Sequence, residues 1–412
     1  MHVTYFTIED IGSGLFRNQV INKLNSILAV DSNITFEVLI INSPIKYKTH
    51  KRILKEYRST LSNRIKIKYY PVLPPLRYAL SSVMQSILIL KWLEVFCRFF
   101  IRVKGDVIHC RSYWPTIIAS SVYSIPILFD LRSLYPAENV AAGKLELNSK
   151  EYKFWLEQES FCIHTAKVNS AVSEAMVSYI NSIKPTSVTH LNSIIVNTEE
   201  IYYDAQERIN KRTKLDWQEN IILVYSGSLG VSGVNREALI NILTLFSKLS
   251  DNFRFLFLSS DSKHTIEQIL IKANIPQDYF YITESNSKEL YKWLSCADIG
   301  FHALPLQLDS DTRLGTKVVE YWVNGLPVIV NKNVGAAADI ISKYGIGLIV
   351  DENSTSTNVL LEEIKELVTK NRLEISNIGK SMFDSKIIAK QYINSYNECL
   401  YNNKNNKNNE EN

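Results

Sequence analysis

Residues 298–335, DIGFHALPLQLDSDTRLGTKVVEYWVNGLPVIVNKNVG, open on a short apolar run, pass through a stretch with helical spacing and end on a second apolar run, PVIV. Apolar runs that alternate with helical stretches in this way predict parallel strands, buried on both faces and joined by crossover helices. Outward from this stretch the same alternation fills the chain. VTYFTI, FEVLII, IKIKYY, DVIHC, PILFDL and KVNSAVS lie in the first half, and IILVYSG, FRFLFLSS and YFYIT precede the quoted stretch in the second. The expected fold class is therefore α/β, doubly wound and Rossmann-like. At 412 residues the chain has room for two such domains, each burying a sheet between helix layers.

The charged segment 198–218 carries no strand signal and is expected to be the interdomain linker, between an N-terminal domain at 1–197 and a C-terminal domain at 219–380. A terminal helix is expected at 381–401, followed by a low-complexity, disordered tail, NNKNNKNNEEN, at 402–412. The 46 basic and 42 acidic residues nearly balance and are spread along the chain, which argues against a nucleic-acid partner. Cys97, Cys110, Cys162, Cys296 and Cys399 form no C-x-x-C pair, and no two histidines stand at ligand spacing, so no disulfide framework, metal site or cofactor is expected. The opening MHVTYFTIED runs directly into a strand pattern without a secretory leader, and a cytoplasmic setting is expected.

In a parallel sheet, ligands bind beyond the carboxyl ends of the strands, where loop amides and helix N-termini meet. Two small-residue turns stand at such places. Gly12 and Gly14 follow the first strand, and Gly227 with Ser228 follows IILVYS; either turn would let the backbone approach a phosphate or sugar, and either is also compatible with a plain tight turn. In the 298–335 stretch a helix is expected to start near Gly315 and Thr316, with Lys317 and Glu320 one turn apart. Amides at that start and the Lys317 charge suit a diphosphate, and Glu320 suits ribose hydroxyls; an ordinary exposed ion pair is the alternative.

The stretch resembles the C-terminal signature of retaining GT-B glycosyltransferases of family 4, approximately E-x-F-G-x-x-x-x-E-A-x-A-x-G-x-P-V. Gly315, Glu320, Gly325 and Pro327-Val328 fall on its glycine, second acid, later glycine and P-V, while Thr312 occupies the place of the first acid, with Asp311 beside it. Lys317-Val318-Val319-Glu320-Tyr321 is similar to the K-x-x-E-Y of a bacterial surface-polysaccharide branch. VYSGSLG resembles the turn that opens the family's C-terminal domain, with Arg236 as the nearest basic residue after it, and IGSGLFRNQV, DVIHCR and FDLRSLYP resemble its N-terminal segments. The resemblance implies two Rossmann-like domains facing across a cleft, with the terminal helix crossing back to the N-terminal domain. It implies transfer of a sugar, with retention, from a UDP- or GDP-sugar to a glycan or lipid-linked acceptor in capsule, lipopolysaccharide or exopolysaccharide synthesis. The leaving phosphate would then take the acceptor proton. Implied donor contacts are Gly12, Gly14, Gly227, Ser228, Arg236, His302, Thr312, Gly315, Thr316, Lys317 and Glu320, and His109, Asp130 and Arg132 are the candidate catalytic residues at N-terminal strand ends. A nucleotide-sugar epimerase or hydrolase, or a non-catalytic sugar-nucleotide-binding subunit, is the alternative.

One segment points elsewhere. Across 81–104, SSVMQSILILKWLEVFCRFFIRVK, the charges Lys91, Glu94, Arg98 and Arg102 recur at steps of three, four and four, which places them on one helix stripe among aromatic residues. Such a helix either lies in the interface of the inner membrane, making the protein peripheral, or packs on the sheet with its charged stripe in water.

Overall fold

The computed structural model describes residues 1–12, 16–73, 82–229, 236–285 and 289–410, side chains excepted at residue 60 and at residues 402–410. The chain divides into two units, Met1–Ile195 with Ser385–Asn412, and Val196–Asp384.

The first unit holds seven strands, β1 (His2–Thr7), β2 (Thr35–Asn42), β3 (Ile65–Pro71), β4 (Val107–Arg111), β5 (Ile127–Asp130), β6 (Val168–Ala171) and β7 (Thr189–Leu191), in the order 3-2-1-4-5-6-7. All six pairings are parallel. The order reverses between β1 and β4, where Tyr5 pairs with His109. The unbroken apolar runs reflect burial on both faces: Val3, Tyr5, Val38 and Ile40 join one core, and Phe6, Leu39, Ile41 and Phe129 the other. The edge strand β3 alternates over its first four residues, with Lys66 and Lys68 exposed, as a strand with one face in water does.

The second unit holds β8 (Ile221–Ser226), β9 (Phe253–Leu258), β10 (Phe280–Thr283), β11 (Ile299–His302), β12 (Val328–Asn331) and β13 (Gly347–Val350), again parallel, in the order 10-9-8-11-12-13. Its order reverses between β8 and β11. The ligand crevice of such a sheet lies beyond the carboxyl ends of those two strands.

Two segments differ from expectation. The 198–218 stretch carries a helix, Ala205–Leu215, started by Asp204, whose carboxylate accepts from the Gln206 and Glu207 amides. Arg208 and Arg212 of that helix pair with Asp298 at the head of the 298–335 stretch, so the segment is built into the second unit. The last helix runs Ser385–Glu410 rather than 381–401, because residues 381–383 finish the Arg372–Phe383 helix and the backbone stays helical through most of the polar stretch. Its Ile388, Ala389, Tyr392, Tyr396 and Cys399 fill the core face of the first unit beside Val3, Tyr5 and Leu24. The chain thus leaves the first unit after Ile195 and returns to it at Ser385.

Candidate functional site

The helix after β11 is Thr316–Asn324, with Gly315 as its N-cap, a residue that has no side chain with which to accept from the first amides. Val318, Val319, Trp322 and Val323 are buried beneath it. It stops at Gly325, whose φ of 89° lies in the left-handed region. A Cβ there would also stand 2.4 Å from the Arg372 carbonyl oxygen. Against β11 the packing is equally tight: a Cβ on Gly300 would meet the Tyr321 ring at 2.3 Å. The Tyr321 hydroxyl in turn accepts from the Ser226 amide at 2.6 Å, which fixes the end of β8 relative to the helix.

This clamp brings Gly227 to the helix start. Its φ of 150° suits glycine, and a Cβ there would lie 3.9 Å from Lys317 Cγ. Lys317 Nζ bonds Glu320 Oε2 at 2.9 Å, with the carboxylate side chain 9% exposed and the lysine 33%. His302, the last residue of β11, packs directly under the cap, since a Cβ on Gly315 would be 3.1 Å from His302 Nε2. Burial, then the charges of Arg313 and Lys317, pull the His302 imidazole down to about 4, so it is neutral near pH 7. Its Nδ1 is buried without a partner among the described residues.

The Gly227 turn is held from below by a residue that sequence reasoning missed. Asp261, just past β9, accepts from Ser228 Oγ at 3.2 Å, from the Leu229 amide and from Ser259 Oγ at 3.0 Å. Its only sequence signal is an acid soon after a strand, which many solvent-facing turns share.

Other predicted donor residues sit differently. Thr312 is buried, and its hydroxyl donates to the Asp309 carbonyl at 3.0 Å. Asp311 is exposed in the Ser310–Thr312 turn, whereas Asp309 is 4% exposed and pairs with Arg313 at 2.9 Å. Arg236 begins the Arg236–Phe246 helix and lines a cavity of about 200 Å³ with Ile240, His264, Thr265 and Lys272. Gly12, in the first unit, lies in an exposed turn closed by its own amide, which donates to Asp10 Oδ1 at 2.9 Å. Gly14 lies outside the described residues.

The three candidate catalytic residues belong to one ion cluster. His109 and Asp130 are 0% exposed, and their polar atoms are engaged by protein groups. His109 Nε2 bonds Asp130 at 3.1 Å and its Nδ1 bonds the Tyr396 hydroxyl at 2.8 Å. Asp130 also takes Lys23 at 3.0 Å, Ser170 Oγ at 3.1 Å and the Tyr392 hydroxyl at 3.2 Å. Arg132 reaches Asp130 at 3.5 Å, the Asn192 carbonyl and Tyr392. Burial alone would raise the Asp130 carboxyl, but Lys23, Arg132 and His109 outweigh it and hold it well below its ordinary range. His109 is held down to about 4 by burial and by Lys23. The cluster ties Tyr392 and Tyr396 of the terminal helix to β4 and β5, and in this arrangement the polar atoms of His109 and Asp130 are occupied by protein groups.

Residues 206–381 match the sequence profile of the family described as Glycosyl transferases group 1. No curated protein sequence matches the chain. Sucrose-phosphate synthase from Thermosynechococcus elongatus superposes with a TM-score of 0.67 at 15% identity, covering 97% of this chain and 99% of its own. Anabaena HepE, solved in complex with UDP, gives 0.65 at 12% identity over 96% and 99%. The lipopolysaccharide outer core galactosyltransferase WaaB gives 0.65 at 11% identity over 96% and 99%. With a Glycosyl transferases group 1 domain spanning the Gly315 site, on a fold shared from end to end with GT-B enzymes, the chain is a glycosyltransferase.

Proposed function

We propose that the chain moves a sugar from a UDP- or GDP-sugar to a glycan or lipid-linked acceptor, with retention, in the synthesis of a bacterial surface polysaccharide. The observation that carries this reading is the helix start at Gly315, whose glycine cap offers no side chain of its own, with Lys317 beside it and the Gly227 turn within van der Waals reach. First-turn amides and the helix dipole favour an anion there. Lys317 adds a full charge, and a diphosphate that draws it away leaves the Glu320 carboxylate to accept from the ribose hydroxyls. Glycine at 227 allows the backbone to approach the phosphates closely. In the transfer itself, these preset donors stabilise the departing diphosphate as charge develops on it, without reorganisation at the moment of bond breaking. His302 is neutral and packed under the cap, and in this reading it would face the sugar. UDP bound to HepE supports a uridine donor, and WaaB a polysaccharide setting.

The test is a thermal-shift screen of the purified chain against UDP, GDP, CMP and NAD, repeated on Glu320→Ala. A ligand at a hundred times its dissociation constant adds about 2.7 kcal/mol to the native state. Stabilisation by one nucleoside diphosphate, lost in the variant, supports the reading and names the base. Stabilisation by none, or by NAD alone, overturns it. Product analysis with and without an acceptor then separates transfer from epimerisation or hydrolysis.

A further inference from the structure

The Ser82–Phe100 helix is buried along Ser86, Leu90, Leu93, Glu94 and Cys97, where it packs in the core with Ile117 and Trp155. Glu94 therefore points inward, its side chain 12% exposed, and takes Lys91 at 2.8 Å. The face left outside is apolar: Met84, Leu88, Trp92, Val95 and Phe99 follow one another at helical steps and are all exposed, Phe99 to 74%. Phe100 at 69% and Leu73 at 68% extend it. Trp92 Nε1 donates to the Leu73 carbonyl at 3.1 Å, which holds the indole in place. Cations border this stripe: Lys91, Arg98, Arg102 and Lys104 are exposed, and the one acid in 82–104 is the buried Glu94. An exposed apolar stripe this long is uncommon on a soluble surface.

We propose that this face docks the first unit onto an anionic lipid bilayer. The charge decides the occupant. Exposed cations without an exposed acid complement acidic headgroups, whereas a second copy of the chain would bring like charges together. Aliphatic and aromatic side chains at the interface, Trp92 among them, enter the headgroup and acyl boundary while the cations stay at headgroup level. No helix among the described residues is long and apolar enough to cross a membrane, so the contact is in-plane. The inference goes beyond the donor reading and does not depend on it.

The test is flotation of the full chain with vesicles of phosphatidylcholine alone and of phosphatidylcholine with phosphatidylglycerol. Binding to the anionic vesicles, weakened by salt, is expected. Leu88→Ser with Trp92→Ser and Phe99→Ser should lower it at least tenfold, and Lys91→Glu with Arg98→Glu should lower it by about fivefold or more per charge on anionic vesicles. Both variants should keep the wild-type melting temperature and nucleotide-induced shift, which separates this proposal from the donor site. Absence of wild-type binding to either vesicle, binding unchanged in both variants, or a wild-type dimer that the apolar variant turns into monomer would overturn it.

Discussion

The two units place similar chemistry at the same address and use it differently. Each reverses its strand order beside its first strand, and each gathers a histidine, a lysine and a carboxylate at the carboxyl ends nearby: His109, Lys23 and Asp130 in one, His302, Lys317 and Glu320 in the other. In the first unit the terminal helix covers the spot, and Tyr392 and Tyr396 satisfy the carboxylate and the imidazole. In the second, the neighbouring positions are Gly227 and Gly315, and among the described residues the lysine and the glutamate bond each other. A polar cluster at a sheet's ligand end can thus serve as a rivet, and the donor site proposed above gives its counterpart in the second unit the other role.

The sharpest way to break this comparison is Asp130→Ala. It leaves Lys23, His109 and Arg132 buried without their shared counter-ion, and removing one partner of a buried ion cluster costs about 3–5 kcal/mol. We expect a large drop in the denaturant midpoint of the first unit. If Asp130→Ala instead melts within a degree of wild type, the cluster is not what holds the terminal helix.

Glu320→Ala should do the reverse. Lys317 is a third exposed although Glu320 is buried, so loss of the carboxylate should cost stability about 1–3 kcal/mol, less than the Asp130 change. Nucleoside diphosphate affinity should fall by about 1.5–3 kcal/mol, roughly ten- to a hundredfold, if the carboxylate accepts charge-assisted bonds from the ribose. Calorimetric titration with UDP and GDP reads this directly. An unchanged affinity would leave Glu320 as the buried partner of Lys317 and nothing more.

The two histidines sharpen the contrast through pH. Both are held at about 4 when folded, against an unfolded value near 6.5. Between those values the unfolded chain binds a proton that the folded one refuses, so stability is full above pH 6.5 and falls as pH drops towards 4. Each histidine contributes up to about 1.4 kcal/mol per pH unit. His302→Asn should flatten the acid limb for the second unit alone. A limb unaltered in that variant would mean that His302 does not titrate as its surroundings imply.

The strand-helix-strand order around residues 298–335 was legible because periodicity and punctuation coincide there: Gly315 opens the helix and Gly325 closes it. Strand β7 was not, since three residues of THL carry no apolar run. The deeper misreadings come from contacts remote in sequence. His109 read as a strand-end candidate because the groups that bury it, Tyr392 and Tyr396, lie almost 300 positions later. The charges of 91–102 read as one stripe, in water or at a membrane interface; packing of Leu90, Leu93 and Cys97 carried Glu94 inward, left Lys91, Arg98 and Arg102 exposed, and put the apolar side out with them. Periodicity locates a stripe on a helix; tertiary packing decides which stripe meets the core.

The smallest effect expected bears on how the open site keeps its shape. Asp261 accepts from Ser228 Oγ, Ser259 Oγ and the Leu229 amide, and the Gly227 turn depends on those bonds for its position beside Lys317. Asp261→Asn keeps the size of the side chain but replaces one accepting oxygen with an NH₂ donor, so one of these bonds is lost and its donor turned against another. About 1 kcal/mol of nucleotide affinity, roughly fivefold, should go with it. Because Asp261 acts through the turn, donor KM should rise while kcat is held, and Asp261→Glu should not rescue it, since a longer side chain displaces the same oxygens. Should kcat fall with KM unchanged, Asp261 acts on the reacting groups themselves, and the turn is not the element that it positions.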